Sequence, residues 1–380
     1  MTLLAAHLND AGILITDGER ILCREPGFAL LEDAGLVTGR EAWASASLKP
    51  RRIQNHYWNE LATTTLTDAR FKHLTAADLV SQQLETLWQR VAKPGDRLAL
   101  AVPAYMSNEN LGLLLGIAVD LGIPVIAMVD AAVAATRRQY ANAVPVNIDL
   151  SLHSAMVTRL TQDTQAQCER AVVVDESGML DLYDIWLRVI AETFVQQSRF
   201  DPLHTAETEQ ALQDRMLEWL AVASSRDSVP MEIEYRGIAH QADIASLDFV
   251  TAATPVYQNI VSNLRALYRA GETPALQLSD RAARMPGLAD TLKARVGGEV
   301  FLLEPGATAR GLVGRVQESR PGSAVTLVRH LPWDQAPVTV EAGRDQNSAL
   351  PTHVLLGNNA TPVNADVLLL GTRPAEGERW

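Results

Sequence analysis

The sequence predicts an α/β protein built of two similar lobes with a small β-rich tail. A meander of short alternating strands opens the chain, and a second one starts near Val144-Pro145; each is followed by helical patterns. Between them, residues 102–135 read as a βαβα crossover. A strand end turns at Pro103 into an apolar helix, and a buried strand over 124–129 then runs into an alanine-rich helix. Parallel strands require such a crossover.

In the first meander, strands are expected over 3–8, 13–16 and 19–23, with Asp17-Gly18 as the two-residue turn that supplies positive φ. Tyr57, Trp58 and Leu61 fall on one face of a helix expected over 53–61, and aromatic clusters at that spacing are usually core. Thr75 and Asp78 have the spacing of a capping box. They open a helix whose apolar residues Val80, Leu84, Leu87, Trp88 and Val91 share a face, and Pro94-Gly95 stops it. The apolar run over 97–102 suits a strand covered on both sides.

In the second half, strands are expected over 146–150, 155–160 and 170–174, with helices over 184–194 and 207–222. A strand through Met231, Ile233 and Tyr235 and a helix over 255–268 form an inserted subdomain. A strand over 275–278, a helix over 285–296, a strand over 299–303 and a helix over 307–316 close the lobe. From Pro321 onward Pro, Gly, Asn and Thr surround short β runs at 325–328, 337–340, 354–356 and 367–370, too little for a large independent core. The expected division is 1–143 for the first lobe with an insertion over about 26–95, 144–320 for the second with an insertion over about 223–272, and 321–380 for the tail.

Composition bounds the function. The chain has 380 residues, 47% hydrophobic and 21% charged, as in globular proteins, and it is long enough for two to three cores. A net charge of −12 without clustered Lys and Arg argues against nucleic-acid binding. The two cysteines, Cys23 and Cys168, sit in no disulfide or metal-like spacing, which fits a reducing, cytoplasmic setting. The amino terminus lacks a basic n-region and reads as a strand rather than a signal peptide. Asp120, Gly122 and Pro124 split the most apolar window, so no membrane span is expected. The GxSxG, HExxH and GxxxxGK(S/T) patterns are absent, and Gly311-Leu-Val-Gly314 is a helix-end pattern.

The stretch 102–135 resembles, without a gap, the VPAYFNDSQRQAT to INEPTAAA segment of the Hsp70 nucleotide-binding domain. Val37-Thr-Gly-Arg-Glu-Ala42 stands where that family has its VGxxA turn, and Arg284-Met-Pro286 where it has R-I/M-P. The resemblance runs over about residues 3–316 and implies two actin-like (ribonuclease H-like) lobes with a cleft between them, in the actin, hexokinase and Hsp70 superfamily. The tail does not resemble the Hsp70 substrate-binding domain.

The family's chemistry needs glycine turns that bring backbone N–H groups to phosphates, and carboxylates that hold Mg²⁺. Its first phosphate loop, D-L-G-T-T, is matched here by His7-Leu8-Asn9-Asp10-Ala11. Its second, D-L-G-G-G-T, is matched by Asp149-Leu150-Ser151-Leu152-His153-Ser154, which keeps the Asp and a hydroxyl but no glycine. The phosphate-reaching Lys falls at Trp43 and the catalytic Glu at Ala131, beside Asp130. Ser177-Gly178 lies near paired glycines of the family, and Ser279-Asp280 replaces the Gly-Gly of its adenosine loop, setting charge and bulk against a nucleotide.

The cleft residues implied by the resemblance are therefore His7, Asn9, Asp10, Asp130, Asp149, Ser151, His153, Ser154, Gly178, Ser279 and Asp280, with no catalytic assignment. If the two hairpins face each other, His7, His153, Asp10 and Asp149 form a small polar or metal-binding cluster. The leading expectation is a pseudo-ATPase that keeps the scaffold as a protein-interaction or regulatory module with an unnamed protein partner. One alternative is a divergent ATPase or chaperone that binds ATP or ADP with Mg²⁺. The other is an actin-like assembly component, which implies oligomers.

Overall fold

The computed structural model describes residues 2–33, 35–67, 71–316 and 325–340, together with the strand backbones over 353–356 and 359–362. The protein is mixed α/β, and contacts divide it into a unit of Met1–Glu341 and a second of Ala342–Trp380. In the second unit, strands His353–Leu356 and Asn359–Pro362 pair as an antiparallel hairpin. The strand expected over 367–370 lies outside the described residues.

Two six-stranded sheets organise the larger unit. In the first, β1 (Leu3–His7), β2 (Ile13–Thr16) and β3 (Ile21–Glu25) form the antiparallel meander, and β4 (Arg97–Val102) and β5 (Val125–Asp130) add in parallel beside β1. The second repeats the plan. There β6 (Val144–Leu150), β7 (Ser154–Gln162) and β8 (Ala166–Asp175) make the meander, and β9 (Pro274–Leu278) and β10 (Glu299–Leu302) add in parallel beside β6. In both sheets the spatial order is thus fifth, fourth, first, second, third. The parallel strands are continuous apolar runs because helices cover them. Asn108–Asp120 connects β4 to β5, with a Ser107–Asn110 capping box at its start. Leu288–Val296 connects β9 to β10.

Each sheet has its own core. Against the first pack Ala76–Val91, which starts at the Thr75–Asp78 capping box, and Asn108–Asp120. Against the second pack Met179–Ser198, Ala206–Ala223 and Ser246–Arg265, with Trp186, Trp219, Phe194 and Phe249 almost wholly buried. A third cluster of small residues, including Ala5, Ala99, Ala101, Val133, Ala134 and Ala309, lets Ala131–Ala135 and Ala307–Arg310 approach the sheets closely. Gly311 is required there, since a Cβ on it would lie 1.9 Å from the Ala134 carbonyl oxygen.

Several local expectations change. The strand expected over 19–23 runs instead over Ile21–Glu25, and Asp17 N–H closes the hairpin on the Arg20 carbonyl. Tyr57, Trp58 and Leu61 are buried, but residues 57–60 form a turn, with only a 3-10 turn at Pro50–Arg52 and a short strand Ile53–Gln54 before it. The helix expected to start at Pro255 instead begins at Ser246 and carries Pro255 inside it. Residues 325–340, expected in the tail, belong to the larger unit. Leu327–Val328 pairs with β5 at the edge of the first sheet, and His330–Leu331 pairs with β8 at the edge of the second. Arg315 fastens this segment, donating to the carbonyls of Pro332, Ala134, Gly311 and Thr136.

Candidate functional site

The carboxyl ends of parallel strands are where α/β proteins commonly hold ligands. At this end of β1, β6 and β9 the loops following His7, Leu150 and Leu278 meet. Leu8 N–H still bonds to the Ala101 carbonyl at 2.9 Å, so the first loop leaves the sheet only at Asn9. The Asn9 amide then reaches across to the second sheet, donating to Asp149 Oδ2 at 2.8 Å and to the Leu150 carbonyl at 3.0 Å. Asp10 follows, and its Oδ1 accepts from Leu152 N–H at 2.8 Å.

Arg281 is the hub of this meeting point. It lies in the short helix Asp280–Ala283, whose start is fixed by Ser279: its N–H donates to the Ile148 carbonyl and its hydroxyl caps Ala282 N–H. The guanidinium, buried, donates through Nη2 to both Asp149 oxygens at 2.9 and 3.2 Å, and through Nε to the Leu150 carbonyl at 3.2 Å. Its Nη1 reaches the Gly12 carbonyl at 3.4 Å, and Nη2 lies 3.4 Å from His7 Nδ1. Leu150 N–H fills a further acceptor position of Asp149 Oδ1.

The electrostatics follow from this burial. Desolvation pushes the Asp149 carboxyl up, but the Arg281 charge, with hydrogen bonds from Ser279 and Arg281, outweighs it and holds it below the usual carboxylate range. For Arg281, desolvation disfavours the charge, and the Asp149 carboxylate more than restores it. Burial, helped by Arg281, pushes His7 down to about 4, so its imidazole is neutral and Nδ1 accepts from the guanidinium. His7 Nε2 lies 3.5 Å from Asp149 Oδ2 and lacks a hydrogen-bond partner. Burial raises Asp10 to about 6, against the bond from Leu152 N–H, and its Oδ2 has no partner.

Apolar packing closes the space beside this network. Leu152 is 3% exposed and packs with Phe28, Leu30 and Ala42, and Trp43 sets its ring edge-on 4.7 Å from Phe28 and 6.1 Å from Tyr183. The second loop closes on itself, as Ser151 Oγ donates to the Ser154 carbonyl and lies 2.9 Å from Ser154 Oγ. The Met179–Ser198 helix spends its first N–H groups on this loop: Met179 donates to the Ser151 carbonyl and Leu180 to the Leu152 carbonyl. Gly178 is needed for that approach, because a Cβ would lie 2.4 Å from the Leu152 carbonyl oxygen.

The remaining expected residues sit around the margin. Asp130 caps Ala131–Ala135 through Ala132 and Val133 N–H, and burial raises its carboxyl. It shares a cavity of about 10 Å³ with Asn147 and Asp149. A second cavity, also about 10 Å³, touches His7, Ser279 and Arg281. Each has room for about one water. Asp280, expected to set its charge against a nucleotide, instead pairs with Arg24 at 2.7 Å and Arg284 at 3.4 Å. His153 does not join His7. Its Nε2 donates to the Asn55 carbonyl at 3.0 Å, and its ring stacks on His56 at 3.6 Å between centroids. Among the described residues no group of three or more His, Cys, Asp or Glu side chains is placed to hold a metal ion.

The donor set does not fit a phosphate with Mg²⁺. Asp149 already accepts from Arg281, Asn9 and Leu150, and the N–H groups of Leu152, Met179 and Leu180 already have protein acceptors. Sequence reasoning weighed Ser279 and Asp280 and missed Arg281. A signal existed: an Asp149 that the strand pattern buries requires a counter-charge from elsewhere in the chain. No protein-family model matches the chain, and no curated protein sequence matches it.

Proposed function

We propose that the protein is an Hsp70-like, actin-like pseudo-ATPase: two lobes, each built on one of the six-stranded sheets, that serve as a protein-interaction or regulatory module without efficient ATP hydrolysis. The observation that carries this reading is the buried Arg281–Asp149 pair, which puts a protein cation where the resemblance expects metal and phosphate. The common strand order of the two sheets supports the two-lobed part of the reading. Loss of glycine from the second loop supports the absence of turnover, since Leu152 is core and not phosphate cradle.

The test is the thermal midpoint with millimolar Mg-ATP and Mg-ADP, because a ligand that binds the native state must raise it. No shift is expected with either nucleotide. A clear shift accompanied by ATP turnover that Asp149→Ala abolishes overturns the reading in favour of a working ATPase.

A further inference from the structure

Among the described residues, strand β10 ends the second sheet and pairs with β9 alone. Leu303 N–H donates to the Leu278 carbonyl at 2.8 Å, so by the alternation of a parallel ladder the N–H and C=O groups of Val300 and Leu302 face away from β9. Among the described residues the N–H groups of these two have no backbone partner. Residues Val300–Leu303 line a cavity of about 580 Å³, joined there by Arg138, Tyr140 and Gln335. Leu302 is 61% exposed beside it.

Among the described residues of the groove lining, Arg138 is the cation without a carboxylate partner; Glu299, at the far end of β10, is likewise unpaired. Arg137 is matched by a bidentate pair to Asp334, and Glu304 is matched by Arg310 at 2.9 Å. Arg138 donates through Nε and Nη2 to the neutral amide oxygen of Gln335, which positions the guanidinium but leaves its charge uncompensated. A free strand edge offers backbone donors at a spacing of about two residues, and an extended chain laid on it turns alternate side chains to one side.

We infer that this groove takes an extended acidic segment of a partner protein, which adds to the second sheet as a strand on β10 and sets a carboxylate on Arg138. The segment's backbone accepts from Val300 and Leu302 N–H, and its apolar side chains cover Leu302. The inference supplies the partner chemistry for the interaction-module reading and rests on it.

The test is fluorescence anisotropy on the full chain, with a labelled hexapeptide alternating Val and Glu and its counterpart alternating Val and Lys. Saturable binding of the Glu peptide is expected, at least about tenfold tighter than the Lys peptide. Arg138→Glu is expected to weaken it by about tenfold or more, and Leu302→Pro, which deletes an edge donor without touching the β9 ladder, to abolish it. Unchanged thermal midpoints check that both variants fold. Equal affinity for the two peptides, no saturable binding of the Glu peptide, or native binding by both variants overturns the inference. So does a native dimer that Leu302→Pro dissolves and the Glu peptide does not, which makes a second copy the occupant. Nucleotide thermal shifts report on the pseudo-ATPase reading and peptide titration on this surface, so the two fail separately.

Discussion

Arg281 and Asp149 depend on each other. A guanidinium and a carboxylate withdrawn from water each cost several kcal/mol, offset here by their mutual charge and by bonds from Asn9 and to the Leu150 carbonyl. Removing one partner strands the other, so Arg281→Ala is expected to cost about 3–5 kcal/mol in urea unfolding. Arg281→Met with Asp149→Asn, which removes both charges, should recover most of that loss; a double variant as unstable as the single would contradict the coupling. Asp10 behaves differently because burial outweighs the pull of Arg281 and of its backbone hydrogen bonds on its charge. Its carboxyl titrates at about 6 in the folded chain against 3.8 in the unfolded one, so ionisation costs the native state stability as pH rises through that window, in full above it. Asp10→Asn keeps an acceptor for Leu152 N–H and should be the more stable form above pH 6, by about 1–3 kcal/mol, with no advantage below pH 4. His7 works in the opposite sense. Its folded value of about 4 against 6.5 unfolded means that its stability contribution is lost as pH falls between them, so Asp10→Asn should also unmask a loss towards acid. Urea midpoints across this range decide it, and an offset that is equal at every pH would contradict the account.

At the scale of elements, what was legible in the sequence were the features set by local period and punctuation. The Thr75–Asp78 box and the apolar runs of β4 and β5 each state their own conformation, and the structure has strands or helices at those places, whereas of the Asp17-Gly18 turn only the positive φ of Gly18 is found, with the return strand starting at Ile21. Pro255 misled because proline usually starts a helix; here the preceding residues from Ser246 onward are held by the burial of Phe249 and Ala253, and tertiary packing overrides the local signal. The turn at 57–60 misled for the opposite reason. Tyr57 and Trp58 are bonded by Gln83 of a neighbouring helix rather than by their own backbone ladder. Residues 325–331 carry only two-residue strands, and their pairing is decided by the sheet edges and by Arg315, none of it visible in the segment itself. Arg281 was illegible for the same reason: its role lies in a contact with Asp149, 132 positions away.

At the scale of the molecule, the first and second halves of the larger unit are held together at several depths. The Arg281–Asp149–Asn9 network lies deepest, Leu152 packs with Phe28 and Leu30 beside it, and Gln210 and Gln213 bond to Trp43 and Ser47 farther along the chain. In a nucleotide-dependent machine some of these contacts would be made by the ligand; here the protein makes them all. The central claim is that the backbone N–H groups of Leu152, Met179 and Leu180, in and beside the second expected phosphate loop, already have protein acceptors. Hydrogen exchange at the Leu152, Met179 and Leu180 amides, with and without millimolar Mg-ATP, tests it most directly. The account predicts slow exchange without ligand and no change on adding nucleotide; fast exchange that Mg-ATP slows would contradict it.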